Sequence, residues 1–521
     1  MAEFGEGDTR QVTAESSTTN SFYEFAVADP DRTAITGDVE DISFGSLLTR
    51  VNRVSNRLRQ LGLRCGDTVA ALVHNDTVYW ELVLATGQIG MYLVPINIHL
   101  TPREISYIVV DSEAKVLVAH ADLVAGLTEI AHLLPRNRFV VGTATVDTWQ
   151  PFDRLYGSER EPDDRSAGAV MGYTSGTTGH PKGVRRRLRP MSPERHATGS
   201  VRSIEWGLGS GKGVHLVCSP LYHSAPGTFA TAALHFGHTI VCRRKFDPEL
   251  VLRDIDRFAV TNVHMVPTHF QRLLRLPVPV RDSFALASMK VVVHAGAACP
   301  IPTKRRMIAW FGPVVWEYYG ATESGLVSVV NSAQWLERPG TVGRSVRGVS
   351  TKILDADGRE LPQGEVGLVY SHGHFEFEYH RDAEKTAAAR VGEFSTAGDI
   401  GRLDDDGYLY ILDRRSDLII SGGVNIYPTE IEDYLLLHPA VGDVGVVGVP
   451  DDDWGQSVLA VVQPVLGVEC GRELVDDLLE HCREGLAPYK TPRRIEFSSA
   501  LPRTDAGKLL RRTLRDQFAA Q

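Results

Sequence analysis

Tyr173-Thr174-Ser175-Gly176-Thr177-Thr178-Gly179-His180-Pro181-Lys182-Gly183-Val184 is the stretch from which the rest of the chain can be read. It holds three glycines, four Ser or Thr hydroxyls and one lysine. The apolar run Ala169-Val170-Met171 leads in and reads as a strand. Glycine lets a backbone turn sharply and come close to a bound group. Backbone N–H groups, hydroxyls and an ammonium are what a polyphosphate needs around its oxygens. The same composition also suits a solvated turn. The spacing is not the G-x-x-x-x-G-K-[ST] of P-loop nucleotide hydrolases, because Gly183 follows Lys182 where Ser or Thr would stand. The stretch therefore reads as a phosphate loop of another kind. Thr174, Ser175, Gly176, Thr177, Thr178, Gly179 and Lys182 are its candidate anion-binding residues.

Upstream of the loop, strand and helix patterns alternate. Leu47, Leu48, Val51, Val54 and Leu58 fall at helical spacing, and Gly62 stops them. Residues 68–73 and 93–96 read as buried strands, with a helix over 77–90. Thr101-Pro102-Arg103-Glu104 opens another helix, with Thr as cap and Glu in the capping-box place. Strands at 116–119, 214–218, 238–241 and 290–294 continue the alternation, which predicts layered α/β structure with parallel sheet. Residues 156–168 read as a polar link into the phosphate loop. From about residue 341 glycine becomes frequent and short β runs appear at 351–354, 367–370 and 408–412, predicting a β-rich subdomain. Beyond about 418 come strands and helices of a small α+β domain. The expected division is a mobile tail over 1–20, a large N-terminal domain over 21–415 and a small mobile C-terminal domain over 416–521.

With 521 residues the chain is too long for one core. A formal charge of −10 argues against a general nucleic-acid binder, so any anionic substrate must be held by local groups. The six cysteines show no C-x-x-C pairing and read as reduced thiols. No signal peptide and no transmembrane run is expected, and the location expected is cytoplasmic. A homodimer is compatible with this reading.

Four further clusters stand out: Tyr318-Tyr319-Gly320-Ala321-Thr322-Glu323, Ser395-Thr396-Ala397-Gly398-Asp399, a glycine stretch from Ser421 through Gly422 and Gly423 to Glu432, and Leu501-Pro502-Arg503-Thr504-Asp505-Ala506-Gly507-Lys508-Leu509-Leu510-Arg511. With 173–184 they resemble, in order, the motifs of the adenylate-forming superfamily, which holds acyl-CoA synthetases, firefly luciferases and the adenylation domains of peptide synthetases. The resemblance spans roughly residues 25 to 515. The glycine stretch is similar to that of the acyl-CoA synthetases, so that branch is expected over luciferase or a peptide-synthetase module.

The resemblance implies roles. Glu323 would hold a Mg²⁺, a cation that takes oxygen ligands. Thr322 would bond the α-phosphate or adenylate, and Tyr319 with Gly320 would pack at the adenine. Gly296, Ala297 and Ala298 resemble the adenine wall, departing from it at Cys299. Asp399 would take the ribose hydroxyls, and Arg414 the ribose or a phosphate. Gly422 and Gly423 would line a pantetheine tunnel. Lys508 would bridge carboxylate and α-phosphate. His223, in Pro220-Leu221-Tyr222-His223, is either a residue of the acyl pocket or a structural histidine. The run Arg185-Arg186-Arg187-Leu188-Arg189 is either a solvated face or a phosphate contact.

The implied reaction joins an acid to ATP, forming an acyl-adenylate and pyrophosphate, and then transfers the acyl group to CoA. Rotation of the small domain about Ser416 would separate the two steps. The alternatives are a partial ligase that only transfers a preformed adenylate, and a non-catalytic nucleotide binder. Small residues at Ser224, Ala225, Gly227, Ala230, Ala295, Gly296 and Ala297 suggest a roomy pocket for a bulky or polycyclic acid.

Overall fold

In this computed structural model residues 21–143, 148–174, 181–202, 204–208, 212–373, 376–422, 424–451, 453–504 and 507–518 are described. Strands Thr68–Leu72, Tyr92–Pro95, Val116–His120 and Asn137–Val141 form a sheet with short edge strands Gln150–Pro151 and Ala169–Val170. Every pairing in it is parallel. A second, nine-stranded sheet has Val214–Val217, Thr239–Cys242, Asn262–Met265 and Val291–His294 at its centre, in parallel. Its two ends are closed by antiparallel pairs. The alternating pattern thus gives the parallel sheet that it predicts.

Helix Thr77–Gln88 buries side chains on all its faces, among them Tyr79, Trp80, Leu82 and Leu84. A helix that is apolar all round must be enclosed. It shares one core with Val69, Leu93 and Val116 of the first sheet and Ile35, Val217 and Ile240 of the second. Burying each such side chain contributes about 1.5–3 kcal/mol. Glu81, the helix's buried carboxyl, accepts from Tyr156 Oη at 2.8 Å and from Arg50 at 3.4 Å. The capping box expected at Thr101 is formed: Glu104 N–H donates to Thr101 Oγ1 at 3.4 Å and Thr101 N–H to Glu104 Oε2 at 2.8 Å.

Residues 350–414 form the expected β-rich unit, an antiparallel sheet that includes Gly367–His372, Asp399–Leu403 and Leu409–Arg414. The small domain is a three-stranded sheet, Val441–Asp451, Gly455–Pro464 and Arg494–Phe497, with helices Pro428–Leu435, Arg472–Gly485 and Arg511–Phe518. Ser416 is exposed in the turn between Leu409–Arg414 and Ile419–Ser421. The expected tail, 1–20, lies outside the described residues; the first of these, Ser21, caps helix Phe22–Ala28.

The stretch 156–168 differs from the expected polar link at its end, where it is seated in the fold. Ala167 is buried, and a Cβ on Gly168 would stand 2.2 Å from Thr86 O and 2.4 Å from Met91 O. Backbone bonds from Ser166 and Gly168 to Gln88 O and Gly87 O hold it, and apolar periodicity carries no trace of such bonds. All six cysteines are free thiols: Cys218, Cys242 and Cys482 are buried, Cys299 is half-buried, and Cys65 and Cys470 are exposed. Burial pushes up the thiol pKa of the first four, for Cys482 to about 11.

Candidate active site

The phosphate loop joins two antiparallel strands, Gly172–Thr174 and Lys182–Arg186, with Thr174 opposite Lys182. Ser175, Gly176, Thr177, Thr178 and Gly179 lie outside the described residues. A Cβ on Gly183 would stand 3.0 Å from the Tyr173 ring and 3.2 Å from His380, so a side chain there would press on both. Thr174 Oγ1 donates to Glu323 Oε1 at 3.4 Å, and Tyr379 Oη donates to the same oxygen at 3.2 Å. Lys182 Nζ stands 5.0 Å from the centre of the Tyr379 ring. The first two motifs therefore meet, and Tyr379 joins them.

Glu323 is 8% exposed, in the turn between strands Val315–Ala321 and Gly325–Val330. That turn is tight: a Cβ on Gly320 would lie 2.1 Å from Gly325 O. Among the described residues no group of three or more His, Cys, Asp or Glu could cage a metal. A single carboxylate beside a phosphate loop instead fits Mg²⁺, which keeps waters and takes one or two carboxylates plus phosphate oxygens.

Tyr319 Oη donates to Asp399 Oδ2 at 2.6 Å, and Arg414 Nε lies 3.0 Å from Asp399 Oδ1. Asp399 and Arg414 are cross-strand partners, which fixes this pair by register. Burial, then the Asp399 charge, holds the Tyr319 phenol far above its ordinary pKa. Gly296, at φ +86°, with Ala297 and Ala298 forms the turn after strand Val291–His294. That strand pairs in parallel with the one carrying Tyr319 and Gly320. Thr322 offers its carbonyl to Arg186 Nη2 at 3.2 Å.

The C-terminal segment comes in against this group. Lys508 is half-buried, and desolvation, then repulsion by Arg414, lowers its pKa, while Asp417 and Asp399 act the other way. Its ammonium thus belongs to the Asp399–Arg414 neighbourhood. Gly507 has φ +75°, and a Cβ there would lie 2.0 Å from Oγ1 of Thr268, in helix Pro267–Leu274. Arg503 steadies the segment through Asp443 (2.9 and 2.8 Å) and Gly507 O (2.9 Å). Arg511 makes a forked pair with Glu432, one arm at 3.0 Å, and donates to Val446 O at 2.9 Å. The last residue of the glycine stretch is thereby tied to the terminal motif. Gly422, at φ +56°, is covered by Trp454, whose Cε3 would be 2.5 Å from an added Cβ. In this arrangement its missing side chain accommodates an indole ring. Gly423 lies outside the described residues.

A cavity of about 1580 Å³ opens beside Thr322, lined among others by Tyr79, His223, Ser224, Gly227 and Leu326. The buried Asn75 positions one wall, bonding Ser219 O at 3.0 Å, Arg243 O at 2.9 Å and Leu221 N–H at 2.8 Å. His223 stands before helix Ser224–His235, its ring 4.6 Å from that of Tyr222, and lines the cavity. The expectation that small residues open the space is corrected in part. Ala230 is fully buried in the core, Ala295 is 4% exposed, and the room at Gly227 is filled by Tyr79 Oη, 2.4 Å from an added Cβ. These residues serve close packing.

Several participants carry no motif signal. Tyr379 lies in the short strand Phe377–Tyr379 and Thr268 begins a helix, and neither has a recognisable neighbourhood in sequence. Arg511 ends the terminal motif, yet only the fold reveals Glu432 as its partner.

The family model of the AMP-binding enzymes matches residues 22–378, and that of the AMP-binding enzyme C-terminal domain matches 430–508. A feruloyl-CoA synthase from Amycolatopsis sp is 34% identical over 94% of this chain and 96% of that protein. A 2-succinylbenzoate–CoA ligase from Bacillus licheniformis is 32% identical over 95% of this chain and 99% of its own length. Among solved structures, amide bond synthetase McbA from Marinactinospora thermotolerans superposes with a TM-score of 0.82 at 28% identity, over 94% of this chain and 97% of that one. No helix among the described residues is long and apolar enough to cross a membrane. With both family models matched and these relatives aligned over nearly the whole chain, the chain belongs to the AMP-binding enzymes, in the acyl-CoA synthetase branch of the adenylate-forming superfamily.

Proposed function

We propose that this chain is an AMP-forming acid–CoA ligase acting on a large carboxylic acid. One observation carries the reading: Lys508, from the end of the chain, comes within electrostatic reach of Asp399 and Arg414, and Tyr319, which donates to Asp399, is four positions before the turn carboxylate Glu323. This arrangement suits the adenylating step and weighs against the two alternatives, a transfer-only ligase and a passive nucleotide binder.

In that step a carboxylate oxygen attacks the α-phosphorus of ATP, the bond to the β-phosphate oxygen breaks, and pyrophosphate leaves. Two anions must approach each other, and the Lys508 ammonium between them offsets the charge that accumulates. Asp399 accepts the ribose hydroxyls, with Tyr319 and Arg414 holding its carboxylate in place. Thr174 and Lys182 hold phosphate oxygens, with Ser175, Gly176, Thr177, Thr178 and Gly179 completing the loop. A magnesium ion held by Glu323 would neutralise the triphosphate. The acyl part lies in the cavity past Thr322, beside His223. Gly296, Ala297, Ala298 and Gly320 flank the adenine.

In the second step the CoA thiolate attacks the acyl carbonyl and AMP leaves. The small domain turns about the segment at Ser416 and presents the stretch around Gly422 and Gly423 in place of Lys508. The site residues come from one chain, so the reading does not depend on a homodimer. ATP and CoA are cytoplasmic substrates, and we place the reaction there. The test is pyrophosphate release across a panel of carboxylic acids, with and without CoA. Lys508→Ala should lower adenylation by about two to three orders of magnitude, the scale for loss of one transition-state contact. Thioester formation from synthetic acyl-adenylate should persist. Equal pyrophosphate release by parent and variant would sink the assignment.

A further inference from the structure

The basic run after the phosphate loop divides between two faces, as side chains of a strand must. Arg185 lies over the Tyr92 ring at 4.6 Å, away from the cavity. Arg186 turns inward, reaches Thr322 O and lines the cavity. The chain then leaves the strand and follows the cavity wall, adding Arg187, Arg189 and Arg195, while Arg347 stands on another part of the wall. Among the described lining residues these five arginines meet one carboxylate, Glu376. Arg187, Arg189 and Arg195 make no ion pair with a described carboxylate. So concentrated a positive lining is out of keeping with a chain whose formal charge is −10.

Arg187, Arg189, Arg195 and Arg347 are exposed, so solvent screens them from one another, and an anion bound along the wall gains from several of them at once. His196 and His235 in the lining do not share this task. His196 has its pKa lowered by burial, then by Arg186 and Arg189, and burial takes His235 down to about 3. The arginines supply guanidinium charge, which stays protonated at any working pH and suits carboxylate geometry. The groups proposed for the triphosphate are Thr174, Lys182 and Glu323; Arg186 stands within reach of the Glu323 charge, and all five arginines border the space assigned to the acyl part.

Resting on the ligase reading above, we propose that the acid is a dicarboxylate: one carboxylate is activated beside Thr322, and the second is held along the cavity wall by Arg189 and Arg195 with Arg186 and Arg187.

The experiment uses the full-length chain and matched probes: hexanoate with adipate, octanoate with suberate, decanoate with sebacate. Binding is read without ATP from tryptophan fluorescence, since Trp206 lines the cavity. At the fitting length the dicarboxylate should bind at least about tenfold more tightly than its monocarboxylate partner, the scale of a charge-assisted hydrogen bond. Arg189→Gln and Arg195→Gln should each bring that ratio toward one. A ratio near one at every length in the parent, or an unchanged ratio in both variants, overturns the proposal. CoA and dephospho-CoA are then compared on the same proteins. If the variants raise KM for CoA but not for dephospho-CoA, with the acid ratio unchanged, the arginines hold the coenzyme's 3′-phosphate and the proposal fails. Pyrophosphate release by the parent is scored separately, so loss of the ligase reading and loss of the dicarboxylate reading give different results.

Discussion

Gly507 is where the terminal segment touches the large domain most closely, and Gly507→Ala should separate the two half-reactions. The backbone there has φ +75°, where an L side chain costs about 1–2 kcal/mol. The new methyl would stand 2.0 Å from Thr268 Oγ1, 2.7 Å from its Cγ2 and 2.8 Å from its Cβ. Relieving such overlap in packed surroundings costs about 1–3 kcal/mol. Both terms act while the segment is docked, and the steric term vanishes when the small domain turns away. The steric term alone therefore disfavours the docked pose, by about 1–3 kcal/mol, or roughly 5- to 150-fold in population. Pyrophosphate release should fall by at least about fivefold, because Lys508 is the next residue. Thioester formation from synthetic acyl-adenylate should stay near the parental rate. Adding Thr268→Ala removes Oγ1 and Cγ2 and should restore part of the loss, leaving the 2.8 Å approach to the Cβ that alanine keeps. Parental pyrophosphate release by Gly507→Ala would show that this contact does not position Lys508, and the reasoning would fail.

Ser416→Pro should hold the small domain in one orientation, because proline fixes φ, so one half-reaction should fall against the other. Equal rates of both steps in parent and variant would move the pivot elsewhere. Asp433, on the helix facing Cys299, has its pKa raised to about 7 by burial, then by Glu432. In a turned, solvated pose it would return toward the ordinary 3.8. The docked pose then holds a proton that the turned pose releases, so raising the pH from about 4 to about 7 weakens docking. The ratio of thioester formation to adenylation should rise over that window and flatten in Asp433→Asn; an identical profile in the variant counts against it. Arg511→Ala strands Glu432, and both side chains are 13% exposed, so the small domain should lose about 3–5 kcal/mol. Urea unfolding monitored on that domain reads this, and an unchanged midpoint would contradict it.

The sequence carried the parts of this molecule that depend on local pattern. Alternating strands and helices, the Thr101 cap and the glycine-rich hairpin all follow from neighbours in the chain. The site was legible as five separate clusters, and the fold supplied their partnerships. Tyr319 faces Asp399 across 80 positions, and Arg511 meets Glu432 across 79, distances over which no periodicity speaks. Gly422 shows the converse limit. A missing side chain in the sequence suggested an opening, whereas in the docked pose it seats Trp454. Likewise the arginine run looks uniform in the sequence until strand pleating sends Arg185 and Arg186 opposite ways.

The distribution of thiols has a practical consequence. Cys65 belongs to the large domain and Cys470 to the small one, and both are exposed, while the other four are sheltered and resist ionisation. A maleimide spin label or a donor–acceptor dye pair would therefore enter the unmodified chain at one reporter position on each body. Electron–electron dipolar spectroscopy or single-molecule fluorescence could then follow the separation of those positions as ATP, acid and CoA are added in turn. The natural chain thus comes with its own molecular ruler for the rotation on which the two-step reading depends.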